Sequence, residues 1–338
     1  MASNSGSISW QIFLFPLMVI LAIGTQQEVS AQNTTAYSYP SNRAASLLVK
    51  SRELQKVNLD SALKYAALGL QKLQLSPETG SDTAFKQLKA DLLLQGGITH
   101  NLVGNIDESL EHLNQAASIF SEVGDSVKLS DALEQISLMG SQGGTVIPWE
   151  PLMTRVLNIR LKAGDSLRIA RTYNSMGFAY LVEDQLKQSD SVLFLALSLA
   201  NRLGYTQEEG LANQFLCSSM RKQGRISEAI DYIEKGTAQA EEIGDAFNLM
   251  TAYRRKYSIH FGQKDYPRAL LALQKAIAVG KAAGISRVVP YLNRFLSSLY
   301  AELGSIHETT NRERRKELIG AQFTLEFGRV PELKEHAK

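Results

Sequence analysis

Arginine, asparagine and glutamine recur at a fixed interval in this chain of 338 residues, and of all its side chains they are the best placed to do chemistry. Asn174, Gln214, Arg254 and Arg294 stand forty residues apart, in a column that begins with Leu94 and Glu134. A second column, three residues earlier, reads Asp91, Asp131, Arg171, Leu211, Thr251 and Tyr291. Carboxamides can hydrogen-bond the backbone of an extended segment, and guanidinium groups grip carboxylates through paired bonds. The first column runs from apolar or acidic at the N-terminal end to basic at the C-terminal end, where Arg221, Lys222 and Arg255 add charge, and the second starts acidic and carries Arg171 at its middle. This is chemistry for holding a partner.

Chemistry for breaking bonds does not assemble. The five histidines, His100, His112, His260, His307 and His336, form no HExxH pair. The single cysteine, Cys217, excludes an intrachain disulfide and any CxxC site, and its place among small residues predicts a buried structural thiol. Gly96-Gly97 and Gly143-Gly144 lack the lysine and the spacing of a phosphate loop. The chain is therefore expected not to be an enzyme and to need no cofactor and no metal. Its net charge of +2 gives no global basic footprint, so no nucleic-acid partner is expected either.

The elements that carry these columns are punctuated at the same period. Gly124, Gly164, Gly204, Gly244 and Gly284 are forty apart. Gly104, Gly144, Asp184, Gly224, Lys264 and Gly304 form a second series offset by twenty. Glycine is the residue that a helix C-terminus asks for, so a mark every twenty residues predicts helix, turn, helix, turn. Between the marks lie apolar columns: Leu113, Met153, Leu193, Ile233 and Leu273, then three residues on Ala116, Val156, Ala196, Gly236 and Ala276. That spacing puts them on one helix face. Small columns, such as Gly97, Ser137, Gly177 and Cys217, mark where the two helices of a pair approach. An unbroken repeat of this kind predicts one elongated helical solenoid.

Segments such as Ser175-Met-Gly-Phe-Ala-Tyr180, Gly224-Arg-Ile-Ser-Glu-Ala229 and Asp265-Tyr-Pro-Arg-Ala269 resemble the tetratricopeptide repeat (TPR), over about residues 44–319. The forty-residue period is similar to the longer-repeat branch, including the exported TPR domains of bacterial sensor proteins. The resemblance implies an all-α fold, an α-α superhelical solenoid of TPR-like helix pairs. It also implies that the first helix of each pair lines an inner groove. Arg171, Asn174, Gln214, Arg221, Arg254, Tyr291 and Arg294 then become the candidate partner-binding residues. The first copy sits out of phase, with Ala62 displaced by seven residues. Gly143–Pro151 replaces a short turn, and its prolines should delay the next helix to Trp149 or Pro151.

The N-terminus has a different character. Ile12–Ile23 is a twelve-residue apolar run, too short to span a bilayer comfortably, followed by Val29-Ser30-Ala31. Small residues three and one before a cut suit signal peptidase, which predicts cleavage after Ala31 and export to a bacterial periplasm or envelope. The expected organisation is a signal peptide at 1–31, a disordered segment at 32–43, a TPR-like solenoid at 44–304, and a degenerate repeat with capping helix and tail at 305–338. The expected role is a non-enzymatic interaction module that takes a protein or peptide in its groove, an acidic segment being the candidate. Peripheral contact with a membrane protein fits the same role. The alternative is a sensory or regulatory component of a bacterial signal-transduction system, or a truncated relative of a TPR sensor histidine kinase.

Overall fold

The computed structural model describes residues 39–55, 58–75, 82–141, 147–285 and 288–309. Thirteen helices and no strand occur among them. They are α1 (Tyr39–Leu54), α2 (Leu59–Gln74), α3 (Thr83–Val103), α4 (Ile106–Glu122), α5 (Ser126–Ser141), α6 (Trp149–Ala163), α7 (Ser166–Val182), α8 (Leu186–Leu203), α9 (Thr206–Lys222), α10 (Ile226–Glu242), α11 (Ala246–Gly262), α12 (Tyr266–Ala282) and α13 (Val288–Thr309). The chain divides after Gln223 into two compact units, the first holding α1–α9 and the second α10–α13.

The periodic glycines end the helices as their spacing predicts. Gly124 takes a φ of 75°, and the next amide, Asp125 N–H, donates to Phe120 O at 2.9 Å, closing the last turn. Asp125 then starts α5 by accepting the Lys128 amide, and Asp165 does the same for Arg168 at the start of α7. A Gly-Asp dipeptide thus both stops one helix and starts the next. Asp184 and Lys264 hold the same turn at φ 61° and 60°, a conformation that strains residues with a Cβ.

Within each pair the small columns let the backbones touch. Ser109 Oγ on α4 donates to Gly97 O on α3 at 2.8 Å, and Ser189 on α8 does the same to Gly177 on α7. A Cβ on Gly177 would meet the Leu193 side chain at 2.4 Å, so no larger residue fits without movement. The expected apolar column, Leu113, Met153, Leu193, Ile233 and Leu273, is buried throughout. Cys217 is buried as well.

Three features differ from the periodic expectation. Helix α1 begins at Tyr39, inside the 32–43 segment expected to be disordered, and carries Ala44, Ala45 and Leu48 into a core with Leu73, Leu88 and Leu92. The turn expected at Gly304 does not form: α13 runs through it to Thr309. Glycine inside a helix costs only about 1 kcal/mol relative to alanine, so its presence permits a stop without compelling one. The α5–α6 connection is long, and α6 starts at Trp149 with Pro148 as its N-cap, as the prolines predict. The expected cleavage site, the turn at Gly144, most of the linker at 76–82 and the tail beyond Thr309 lie outside the described residues.

Candidate functional site

The inner columns of the first unit meet one another across successive repeats. Asp91 on α3 pairs with Lys128 on α5 at 2.7 Å, and Asp131 on α5 with Arg168 on α7 at 3.2 Å. Arg171 on α7 then pairs with Glu208 on α9 at 2.8 Å, with the charges exchanged. All three pairs are thirty-seven residues apart. The first helix of one pair packs beside the first helix of the next, so the column at 91, 131 and 171 faces the column at 128, 168 and 208. Each charge of these two columns in the unit is answered by the protein itself.

One buried cation ties three helices together. Arg160, on α6, is 1% exposed. Its Nη2 donates to Asp131 Oδ1 at 2.7 Å and to Glu134 Oε2 at 2.8 Å. Its Nη1 donates to Thr172 Oγ1 and Arg168 O, and its Nε to Ser130 Oγ. Burial works against its charge, but the two carboxylates outweigh it and its pKa lies above the ordinary value. Glu134 is completed by the Ser175 hydroxyl at 2.8 Å. Both residues are exceptions in their columns. Position 160 is Phe120, Ala200, Ala240 and Gly280 in the other copies, and position 134 is Leu94, Asn174 and Gln214 in its neighbours. The two exceptions compensate one another. Beside them lies a cavity of ≈ 30 Å³.

The expected groove residues divide between the units. In the first, Asn174 is wholly buried, and its amide donates to the backbone and carboxylate oxygens of Glu208 at 3.0 and 3.2 Å. Arg171, 6% exposed, is spent on the same carboxylate. Burial pushes the Glu208 carboxyl up, and Arg171 and Asn174 pull it back. Gln214 is 1% exposed on α9. Arg221 is half-buried one turn beyond Cys217, and burial depresses its pKa. The structure therefore turns Arg171 and Asn174 inward, onto Glu208, because stacking of the repeats encloses them.

In the second unit the predicted residues come together at a more open face. Arg254 on α11 and Tyr291 on α13 are half-buried, and Arg294 on α13 is exposed. Burial raises the Tyr291 phenol, and both Arg254 and Arg294 lie close enough to oppose that rise. Tyr291 stands edge-on to Phe295 at 4.9 Å, and Phe295 packs on Tyr257 at 5.4 Å. Arg294 has no ion-pair partner among the described residues. Two guanidinium charges felt at the Tyr291 phenol make this face cationic and partly apolar, suited to a carboxylate with an adjoining apolar group.

Arg160, Arg168 and Glu208 were not singled out by reading the inner columns one at a time. For Arg168 and Glu208 the signal was available as charge complementarity at a separation of thirty-seven, and for Arg160 as a charge in an otherwise apolar column. No group of three or more histidine, cysteine or acidic side chains placed to hold a metal occurs among the described residues.

No protein-family model and no curated protein matches the chain. Solved structures do. RapI in its apo form superposes with a TM-score of 0.56 at 17% identity, covering 83% of this chain and 98% of that one. The Rap conjugation gene regulator of plasmid pLS20, solved with the Phr* peptide, gives 0.59 at 15% identity over 96% and 87%. Aspartyl phosphate phosphatase F from Bacillus subtilis gives 0.53 at 15% identity over 98% of both chains. Likeness at this identity concerns the fold: the chain is an all-α helical repeat of TPR type.

Proposed function

We propose that the chain is a non-enzymatic interaction module that binds a protein or peptide segment on the inner helix faces of its repeats. The observation that carries this reading is the face built by Arg254, Tyr291 and Arg294. The first unit pairs Asp91, Asp131 and Arg171 internally, whereas the second leaves Arg294 exposed and without an ion pair among the described residues. An acidic or carboxylate-bearing segment complements that face. Support of a coarser kind comes from the fold, shared with a regulator solved with a peptide bound.

The test is capture from envelope extract by the chain and by its Arg254→Glu/Arg294→Glu variant. Each lost charge-assisted bond should cost about 1.5–3 kcal/mol, and the reversed charge adds repulsion. The variant should lose the partner with helicity unchanged, and wild-type affinity should fall with added salt. Retention of the same partner by the double variant would remove this face from consideration. Export belongs to the same proposal: protein from its native host should begin near Gln32, and intact Met1 recovered from the cytoplasm would overturn it. One of the similar structures is described as a phosphatase. Release of phosphate from an aspartyl-phosphate protein by the purified chain would therefore defeat the non-enzymatic reading.

A second reading, the sensory or regulatory half of a bacterial signalling system, draws on the likeness to a gene regulator. A kinase or response regulator as the captured partner would favour it over an envelope-assembly role.

A further inference from the structure

The cavity of ≈ 30 Å³ lies among α3, α5, α6 and α7, wholly within the first unit. A water needs roughly 10–15 Å³ of such space, so this one admits about two polar heavy atoms. Leu94 and Ile98 form an apolar wall. The polar lining is incompletely used. Gln135 is 5% exposed, lines the cavity, and has no hydrogen-bond partner among the described residues. Asp131 engages Arg160 and Arg168 through Oδ1 only, leaving Oδ2 open. Arg168 spends Nε on Asp131 and Nη1 on Asp165, leaving Nη2. By contrast Glu134 and Arg160 use every charged atom on protein partners.

We propose that this cavity is a subsite for a carboxamide, the side chain of an asparagine or glutamine in a bound segment. It rests on the reading of the chain as a peptide-binding module. The open groups supply both halves of the recognition: Arg168 Nη2 and the Gln135 amide as donors, Asp131 Oδ2 and the Gln135 carbonyl as acceptors. A carboxamide has one acceptor oxygen and one donor nitrogen, two polar heavy atoms for a space of that size. Its methylene stem would rest on Leu94 and Ile98. Full charges fit worse. A carboxylate would face Asp131 and Glu134, and an ammonium or guanidinium group would face Arg160, Arg168 and Arg171. The Gln135 amide keeps some solvent contact and makes no hydrogen bond within the described residues, so a ligand group can pair with it in place of water.

The test is selection of a displayed random-peptide library on the full chain, purified from an expressing host, alongside Gln135→Leu and Gln135→Glu. Wild type should enrich peptides with Asn or Gln at one fixed position. Gln135→Leu should lose that preference and bind the wild-type peptides about tenfold or more weakly, one lost pairing of a buried polar group. Gln135→Glu adds a third carboxylate and should shift the preference toward Lys or Arg. Circular dichroism on each variant keeps a folding defect apart from a lost subsite, and peptides that still bind through other positions serve as the internal control. Enrichment of acidic or basic residues by wild type, or the same Asn/Gln preference in Gln135→Leu, would overturn the subsite and leave peptide binding standing. If no peptide is enriched by the wild-type chain, peptide binding itself fails and the subsite goes with it.

Discussion

Replacing Arg160 with methionine should strongly destabilise the first unit. The gross attraction between Arg160 and Glu134 at 2.8 Å is about 6 kcal/mol at an effective dielectric constant of ~20. Several kcal/mol of desolvation per ion oppose it, so the intact pair is close to neutral for stability. Removing only the cation is different. Glu134, 3% exposed in its side chain, would keep only the Ser175 hydroxyl, and Asp131 would keep only Arg168. Breaking a buried pair in this way costs about 3–5 kcal/mol, or roughly 6–20 °C in Tm for a unit of this size. The preceding copy shows the remedy, because Leu94 and Phe120 occupy the equivalent positions. Ser130 and Thr172 would keep their own bonds to Val127 O and Arg168 O. Glu134→Leu/Arg160→Phe should therefore recover to within about 1–2 kcal/mol of wild type, since well-packed apolar replacements of buried pairs are often neutral. Urea and thermal melts followed by circular dichroism measure both variants. A single variant that costs under about 1 kcal/mol, or a double variant as unstable as the single one, would refute the compensation argument.

Three further outcomes follow from the same geometry. Gly177→Ala should cost about 1–3 kcal/mol, because its Cβ would overlap Leu193 at 2.4 Å, and a denaturation midpoint unchanged from wild type would contradict the close approach. Lys264→Gly should stabilise the second unit by about 1 kcal/mol, read from the same melts, by relieving a φ of 60°. Asp165 caps α7, and although burial works against its charge, the Arg168 amide and guanidinium hold its carboxyl below the ordinary aspartate pKa. Its extra stability over Asp165→Asn should be present above the unfolded-state pKa and vanish as pH falls through the lower folded-state value. A difference that is constant with pH would argue against the charge being the cause.

The turns were legible in the sequence because a left-handed helix stop is a local demand that glycine meets with no help from elsewhere. Gly124-Asp125 and Gly164-Asp165 each encode a stop and a start in two residues. The apolar columns were legible for a related reason: their three-and-four spacing survives in any tertiary arrangement. Gly304 shows the limit, since a residue that permits a turn cannot compel one. Arg254, Tyr291 and Arg294 fall on successive first helices of the second unit because their columns are adjacent, and both guanidinium charges are felt at the Tyr291 phenol.

The fate of the polar columns in the first unit was decided by packing between repeats. Periodicity named Arg171 and Asn174 as inward-facing, but which residue of the next copy stands opposite depends on how far one helix pair is shifted along its neighbour. That offset sets Glu208 against both of them and Arg168 against Asp131. It also leaves Gln135 nearly buried and unanswered beside a cavity. The sequence by itself determined where the helices stop at Gly124, Gly164, Gly204 and Gly244 and which face they bury, since those depend on one residue's backbone and on spacing within a helix. Which buried charges are neutralised and which polar groups remain open only the tertiary structure decided, because desolvation and pairing depend on the distance between groups some thirty-seven residues apart.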